Sequence, residues 1–252
     1  MISERDTMSG LAKGLAVIET FTADRPRQSI AEVAAASGLD RATARRCLLT
    51  LAAQGYADYD GKFFTLTPRV LRLGTACLAT MPLPQMVQPF LERLSEALGE
   101  SSSVSILDED EIVYVARAAQ RKVMSIALMP GSRLPAFCTS MGRVLLAALP
   151  EEEARRRLAA RALVARTALT VTTPEGVLER LAQVRQQGFS VNDEEVELGL
   201  RSIAVPVLNA RGVTVAALNL GLPVRGEDVT TLPARYLPAL LQVQADLRQV
   251  LR

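Results

Sequence analysis

Residues 29–66 constrain the fold more than any other segment, because two short helical patterns flank Ser37-Gly38-Leu39 and a hairpin pattern follows. In 29–37 the apolar Ile30, Val33 and Ala34 recur at helical spacing, and Ser29 stands where a side-chain oxygen satisfies the first free amides. Gly38 ends that helix as a left-handed residue. Asp40 caps a second helix predicted over 41–54, in which Ala44, Cys47, Leu48 and Leu51 form the inward stripe and Arg41, Thr43, Arg45 and Arg46 point elsewhere. Gly55 closes it. Residues 56–59, Asp60-Gly61 and 62–66 then read as strand, turn and strand, with Asp-Gly the favoured centre of a type I′ turn. This order is that of a winged helix-turn-helix. Arginines near the start of its second helix suit the major groove, where they bridge guanine O6 and N7 or meet phosphates. The residues expected on double-stranded DNA are Ser29, Arg41, Thr43, Arg45, Arg46 and, on the wing, Lys62.

Composition narrows the alternatives. With 29 basic and 27 acidic residues the net charge is only +2, so attraction to a polyanion has to come from the local arginine cluster. The chain contains no histidine, which removes Ser-His-Asp and Cys-His chemistry and the commonest metal ligand. Cys47, Cys77 and Cys138 are widely separated and form no Cys-x-x-Cys pair, so neither a disulfide framework nor a zinc site is expected. No catalytic residue, metal or cofactor is assigned. The acidic run Asp108-Glu-Asp-Glu111 lies between two strand-like segments and reads as a solvated hairpin turn. No apolar run approaches the roughly 18 to 20 residues of a membrane span, and the first residues lack a signal-peptide layout, so the expectation is a cytoplasmic protein without a membrane partner.

The pattern along the chain is mixed. Leu11, Leu15, Ile18 and Phe21 mark a helix ahead of the reading head, and Pro68 opens another that runs toward Met81-Pro-Leu-Pro84, where two prolines stop it. The expected organisation is a DNA-binding domain over 1–67, a linker helix over 68–82 and a second domain over 83–252. In that second domain strand patterns fall at 102–107, 112–116, 123–128, 189–191, 202–208 and 213–220. Helical patterns fall at 139–149, 151–161, 175–187 and 232–251, with a further amphipathic helix through Val87, Leu91, Leu94 and Leu98. The fold class is α+β, with a largely antiparallel sheet.

With both halves in view, the chain resembles the IclR family of bacterial transcriptional regulators. The resemblance rests on Gly188-Phe-Ser-Val-Asn-Asp-Glu-Glu195 and on Glu197-Leu-Gly-Leu-Arg-Ser-Ile-Ala-Val-Pro206. Leu66-Thr-Pro-Arg-Val-Leu-Arg-Leu-Gly74, Glu100-Ser-Ser-Ser-Val-Ser105 and Thr139-Ser-Met-Gly-Arg-Val-Leu-Leu-Ala147 resemble the branch that regulates aromatic-acid catabolism through protocatechuate, 4-hydroxybenzoate or β-ketoadipate. Two positions depart from the family motif: Asn192 stands where an acidic residue is usual, and Leu208 where an aromatic is usual. The resemblance implies a winged helix-turn-helix, a linker helix and a GAF-like effector-binding domain, assembled as a homodimer or homotetramer. It also implies an effector site at Val123, Ile126, Leu134, Ser140, Met141, Asn192, Leu200, Ser202, Asn219 and Gly221.

The residues themselves fit a small carboxylate with an apolar body. Pro130-Gly-Ser-Arg-Leu-Pro135 leads toward the helix start at Thr139-Ser-Met, whose unpaired amides suit an anion. Arg117, Arg121 and Arg133 have the fork that pairs with a carboxylate, although surface solvation is the expected role for most of them. Cys138 is expected to be a buried thiol. The function expected is a ligand-responsive regulator that binds operator DNA and a small organic acid, with RNA polymerase as a further partner if it activates. The rivals are an effector-independent DNA-binding oligomer and an enzyme with a fused DNA-binding head.

Overall fold

A computed structural model describes residues 6–22, 24–120 and 128–251, without the side chains of 76–79. The chain separates into two compact units, Met1–Thr80 and Met81–Arg252.

In the first unit α1 (Ser9–Glu19) packs with α2 (Ile30–Ser37) and α3 (Arg41–Ala53), and β1 (Arg27–Ser29), β3 (Phe63–Leu66) and β2 (Ala57–Tyr59) form a sheet in that spatial order. The caps follow the sequence. Ser29 and Glu32 form a reciprocal capping box, Gly38 is left-handed at φ 68°, and Asp40 accepts from the Thr43 amide at 2.9 Å. Val17, Val33, Ala44, Leu48 and Phe64 fill the core. The wing differs in one detail. Asp60 pairs with Phe63, since its amide donates to the Phe63 carbonyl and its Oδ1 accepts from the Lys62 and Phe63 amides. The two central turn residues are therefore Gly61 and Lys62, and of these only Gly61 has a positive φ, so the predicted type I′ Asp-Gly turn is replaced. A 3-10 turn at Pro68–Val70 and α4 (Leu71–Thr80) complete the unit.

In the second unit α4 has ended at Thr80, as the prolines imply, and Pro82 also opens α5 (Pro82–Leu98), where a missing N–H costs nothing in the first turn. The sheet holds six antiparallel strands in the order β6 (Arg133–Pro135), β5 (Glu111–Ala118), β4 (Ser101–Asp108), β9 (Thr214–Pro223), β8 (Leu200–Leu208) and β7 (Ser190–Asp193). Alternation divides its faces. Val115, Ile203, Val205, Leu218 and Leu220 pack under α5 and α9 (Leu232–Val250), while Tyr114, Ala204 and Ala217 pack under α6 (Ser140–Ala147) and α8 (Pro174–Gln187). The remaining helix, α7 (Glu151–Ala160), packs against α8. The acidic run is a turn at Glu109 and Asp110, as its charge implies. Of the strand expected over 123–128, residues 123–127 lie outside the described residues, and Leu128 carries no regular structure. The short β1 and β6 were not legible, because three residues are too few to show alternation.

Candidate functional site

Two places bring the expected residues together, one in each unit. On α3, Arg41, Arg45 and Arg46 are exposed, and Lys62 is exposed at the wing tip with its ammonium 5.0 Å from the Phe63 ring centroid. Arg41 and Arg45 make no hydrogen bond or ion pair among the described residues, so both guanidinium groups are available. Arg46 reaches back to the Thr43 hydroxyl at 3.4 Å. Thr43 itself is only 8% exposed, on the inward face beside Ala44. The expectation that it touches DNA is corrected accordingly: its amide and hydroxyl serve Asp40 and Arg46. Ser29 has its hydroxyl engaged with Glu32 at 2.6 Å, which ties it to the helix start. The wing tip is held by Arg27, which bonds Asp60 at 2.6 Å and lies 4.1 Å over Phe63. Among the causes of the low Asp60 carboxyl, the Arg27 hydrogen bond comes first, followed by the Phe63 and Lys62 amides.

The second place lies between the sheet and the start of α6. Local geometry there depends on Gly142, where an added Cβ would overlap the Ala136 backbone and the Thr139 hydroxyl. Only glycine lets the 3-10 turn Ala136–Cys138 cross the first turn of α6. Thr139 caps the helix, accepting from the Gly142 amide at 3.0 Å, and the Asn192 amide donates to the Cys138 carbonyl at 2.7 Å. Arg143 then locks the assembly. Its guanidinium meets both Glu195 oxygens at 2.6 and 2.7 Å, its Nε donates to the Phe137 carbonyl, and the two side chains are 2% and 9% exposed.

Beside this lies a narrow pocket. Eight of the ten positions named for an effector line it: Leu134, Ser140, Met141, Asn192, Leu200, Ser202, Asn219 and Gly221. Val123 and Ile126 lie outside the described residues, as does Arg121. Ser140 and Ser202 share a hydroxyl hydrogen bond of 2.7 Å, and the Asn219 Oδ1 is buried with no partner. Thr139, at the helix start that the sequence marks for an anion, also lines the pocket; Tyr114, Leu128 and Val196 carry no sequence signal for it, and in the sequence Arg117 is only one of three candidate arginines. Arg133 of that trio is a surface residue held by Asp108 and Glu111 at 2.7 Å each. Arg117 lines the pocket. Burial lowers its proton affinity and raises the Tyr114 phenol to about 12, so both keep their protons at neutral pH. The Cys138 thiol, pushed up to about 11 by burial, is no nucleophile.

The model of the IclR helix-turn-helix domain matches residues 10–61, and that of the bacterial transcriptional regulator IclR C-terminal domain matches residues 75–245. The chain belongs to the IclR family. Among curated IclR-type relatives, it is 44% identical to the Pca regulon regulatory protein of Pseudomonas putida, over 96% of this chain and 84% of the relative. It is 40% identical to the p-hydroxybenzoate hydroxylase transcriptional activator of Acinetobacter baylyi, over 99% and 94% of the two chains. A transcriptional regulator from Rhodococcus sp. RHA1 superposes with a TM-score of 0.77 at 44% identity, covering 97% of this chain and 98% of that one. The inducer-binding domain of a PobR double mutant from Acinetobacter, solved with 3-hydroxybenzoic acid, gives 0.64 at 36% identity over 68% of this chain and all of that domain. An IclR homologue from Microbacterium hydrocarbonoxydans, solved with 4-hydroxybenzoate, gives 0.70 at 28% identity over 96% and 100%. This IclR-family chain is thus a transcriptional regulator of the type that matches aromatic-acid catabolism, with a helix-turn-helix head and a curled-sheet effector domain. No described helix is long and apolar enough to cross a membrane.

Proposed function

We propose that the regulator binds a small aromatic acid in the pocket between the sheet and α6, and that occupancy changes its hold on operator DNA. The observation that carries this is the pocket itself: Leu134, Leu200 and Val196 form apolar walls around polar groups that the protein leaves unpaired. Buried polar groups are normally satisfied, so unpaired ones facing a cavity mark where a ligand supplies the partner. The hydroxybenzoates in the solved structures of two relatives support an aromatic acid.

In this reading Arg41, Arg45, Arg46 and Lys62 meet operator DNA, and a homodimer or homotetramer presents two heads to a pseudo-palindrome. The protein works in the cytoplasm and turns over no substrate. Effector binding shifts the operator-binding equilibrium only as far as its affinity differs between two arrangements of the chain. The 68–80 segment is the proposed mechanical link.

Thermal-shift titration of the full chain with benzoate, 4-hydroxybenzoate, 3,4-dihydroxybenzoate and adipate, beside operator binding, tests the reading. A ligand at a hundred times its Kd stabilises by about 2.7 kcal/mol. Intact operator binding with no stabilisation by any of the four refutes the sensor and favours an effector-independent DNA-binding oligomer. Chemical conversion of a ligand would favour the enzyme.

A further inference from the structure

We infer that Arg117 takes the effector's carboxylate and thereby orients the ligand, leaving the first turn of α6 and the Ser140–Ser202 pair to read the polar substituent at its far end. This rests on the effector reading above and names the class within it: a ring with one carboxylate and a neutral polar group roughly opposite.

Register places the guanidinium. Arg117 pairs with Ser103 on β4, and Ser103 pairs with Asn219 on β9, so the three residues form one row across the sheet on the face that carries α6. The Arg117 Nη1 donates to the Ser103 hydroxyl at 3.0 Å, which holds the head over β4. Its Nε is buried without a partner, and among the described residues no carboxylate lies within ion-pair distance of it. The contrast within the unit is sharp. Arg143, Arg157 and Arg201, the other described arginines of this unit that are buried or half-buried, hold Glu195, Glu153 and Asp193 respectively. Of these four, only Arg117 lacks a counter-ion among the described residues, and no acidic residue lines the pocket around it. A carboxylate fits the fork of a guanidinium in two parallel bonds.

The α6 amides are the competing anion site, and charge decides between the two. A helix start carries about half an elementary positive charge, and here Thr139 already caps it. Arg117 carries a full charge in a part-buried setting that weakens screening. The Ser140 and Ser202 hydroxyls can each donate or accept, so they suit a neutral phenol. Ser202 lies on β8, two strands beyond β4 and two residues along from the Arg117 row, or about 12 Å from Ser103 at the usual sheet spacings. A single ring with substituents at opposite ends suits that span, with Leu134 and Leu200 as its walls. A ring-opened diacid would need a second cation, and Arg117 is the only cation among the described lining residues.

Isothermal titration of the full chain with 4-hydroxybenzoate, 4-hydroxybenzamide and benzoate tests the orientation, using wild type, Arg117→Gln, Arg117→Lys and Ser202→Ala. Wild type is expected to prefer the acid to the amide at least tenfold. Arg117→Gln should weaken the acid about 30-fold, equivalent to about 2 kcal/mol, and abolish that preference. Ser202→Ala should keep the acid-over-amide preference while narrowing the gap between 4-hydroxybenzoate and benzoate. A folded Arg117→Gln that still prefers the acid overturns the orientation and leaves the pocket reading intact. If that variant does not fold, Arg117→Lys, which keeps the charge but loses the fork, must bind the acid more weakly than wild type; equal affinity overturns the assignment. No binding of any probe by wild type overturns both readings.

Discussion

Replacing Arg143 by Met should be the most damaging single change in the second unit. The side chain volume is roughly kept, but the guanidinium that meets Glu195 at 2.6 and 2.7 Å and the Phe137 carbonyl at 2.9 Å is gone. Glu195, 9% exposed at its side chain, is left with one donor, the Val171 amide at 3.0 Å. Breaking a buried pair by removing one partner costs about 3 to 5 kcal/mol, whereas replacing both partners with apolar groups is often neutral. For a unit of this size each kcal/mol moves Tm by roughly 2 to 4 °C, so Arg143→Met should lower the transition by about 6 to 20 °C. Arg143→Met combined with Glu195→Leu should recover much of that loss, because no buried charge is then orphaned. Calorimetry on the full chain, with urea unfolding as a second measure, gives all four corners of the cycle. A single variant losing less than about 1 kcal/mol, or a double variant no more stable than the single, would refute the reasoning that the pair is coupled through desolvation.

Arg45→Ala should weaken operator binding by about 1 to 3 kcal/mol if it reads a base, and should flatten the salt dependence of binding if it meets a phosphate; unchanged affinity for Arg41→Ala and Arg45→Ala alike would remove α3 from the interface. Cys138, with its thiol raised to about 11, should resist iodoacetamide at pH 8 in the folded protein and react on unfolding, as peptide mass mapping would record. Asp40, Asp60 and Glu32 all have folded carboxyls below their ordinary values, through Thr43, Arg27 and Ser29 respectively. Their stabilisation of the reading head is therefore full above about pH 5 and is lost as pH falls through the unfolded carboxylate range toward the lower folded values. Amide exchange over residues 27–66 should accelerate in acid, and Asp60→Asn should lessen that acceleration while costing stability at neutral pH.

What was legible in the sequence is local. Ser29 and Asp40 act through residues three positions away and Gly38 through its own left-handed backbone, so cap chemistry together with the apolar stripes places α2 and α3. The wing turn slipped by one residue because Asp60 uses its side chain to close the turn and so yields the centre to Gly61 and Lys62. Thr43, an outward residue by helical spacing, is only 8% exposed beside the buried Ala44. The pocket is a different case. Its carried-over positions came from motif resemblance, but the unpaired state of Arg117 depends on Ser103 and Asn219, which register alone brings alongside. No window along the chain contains that row, and nothing local distinguishes Arg117 from Arg133, which two neighbouring carboxylates neutralise.

These long-range relations meet on one short helix. Successive residues of α6 face different demands: Ser140 and Met141 line the pocket, Gly142 admits the 3-10 turn, and Arg143 binds Glu195. Asn192, on the strand that leads to Glu195, lines the same pocket while holding the Cys138 carbonyl. A ligand that moves the first turn of α6 therefore strains a bidentate ion pair and a glycine contact with little slack, and closely packed elements respond to such strain by switching between arrangements more readily than by bending. By this argument Gly142→Ala should mimic a displaced α6 without any ligand. Its Cβ pushes against the Ala136 carbonyl, so the variant should lose effector affinity even though no atom of the lining has been removed. Wild-type affinity in a folded Gly142→Ala would mean that the 3-10 turn and the pocket are mechanically independent.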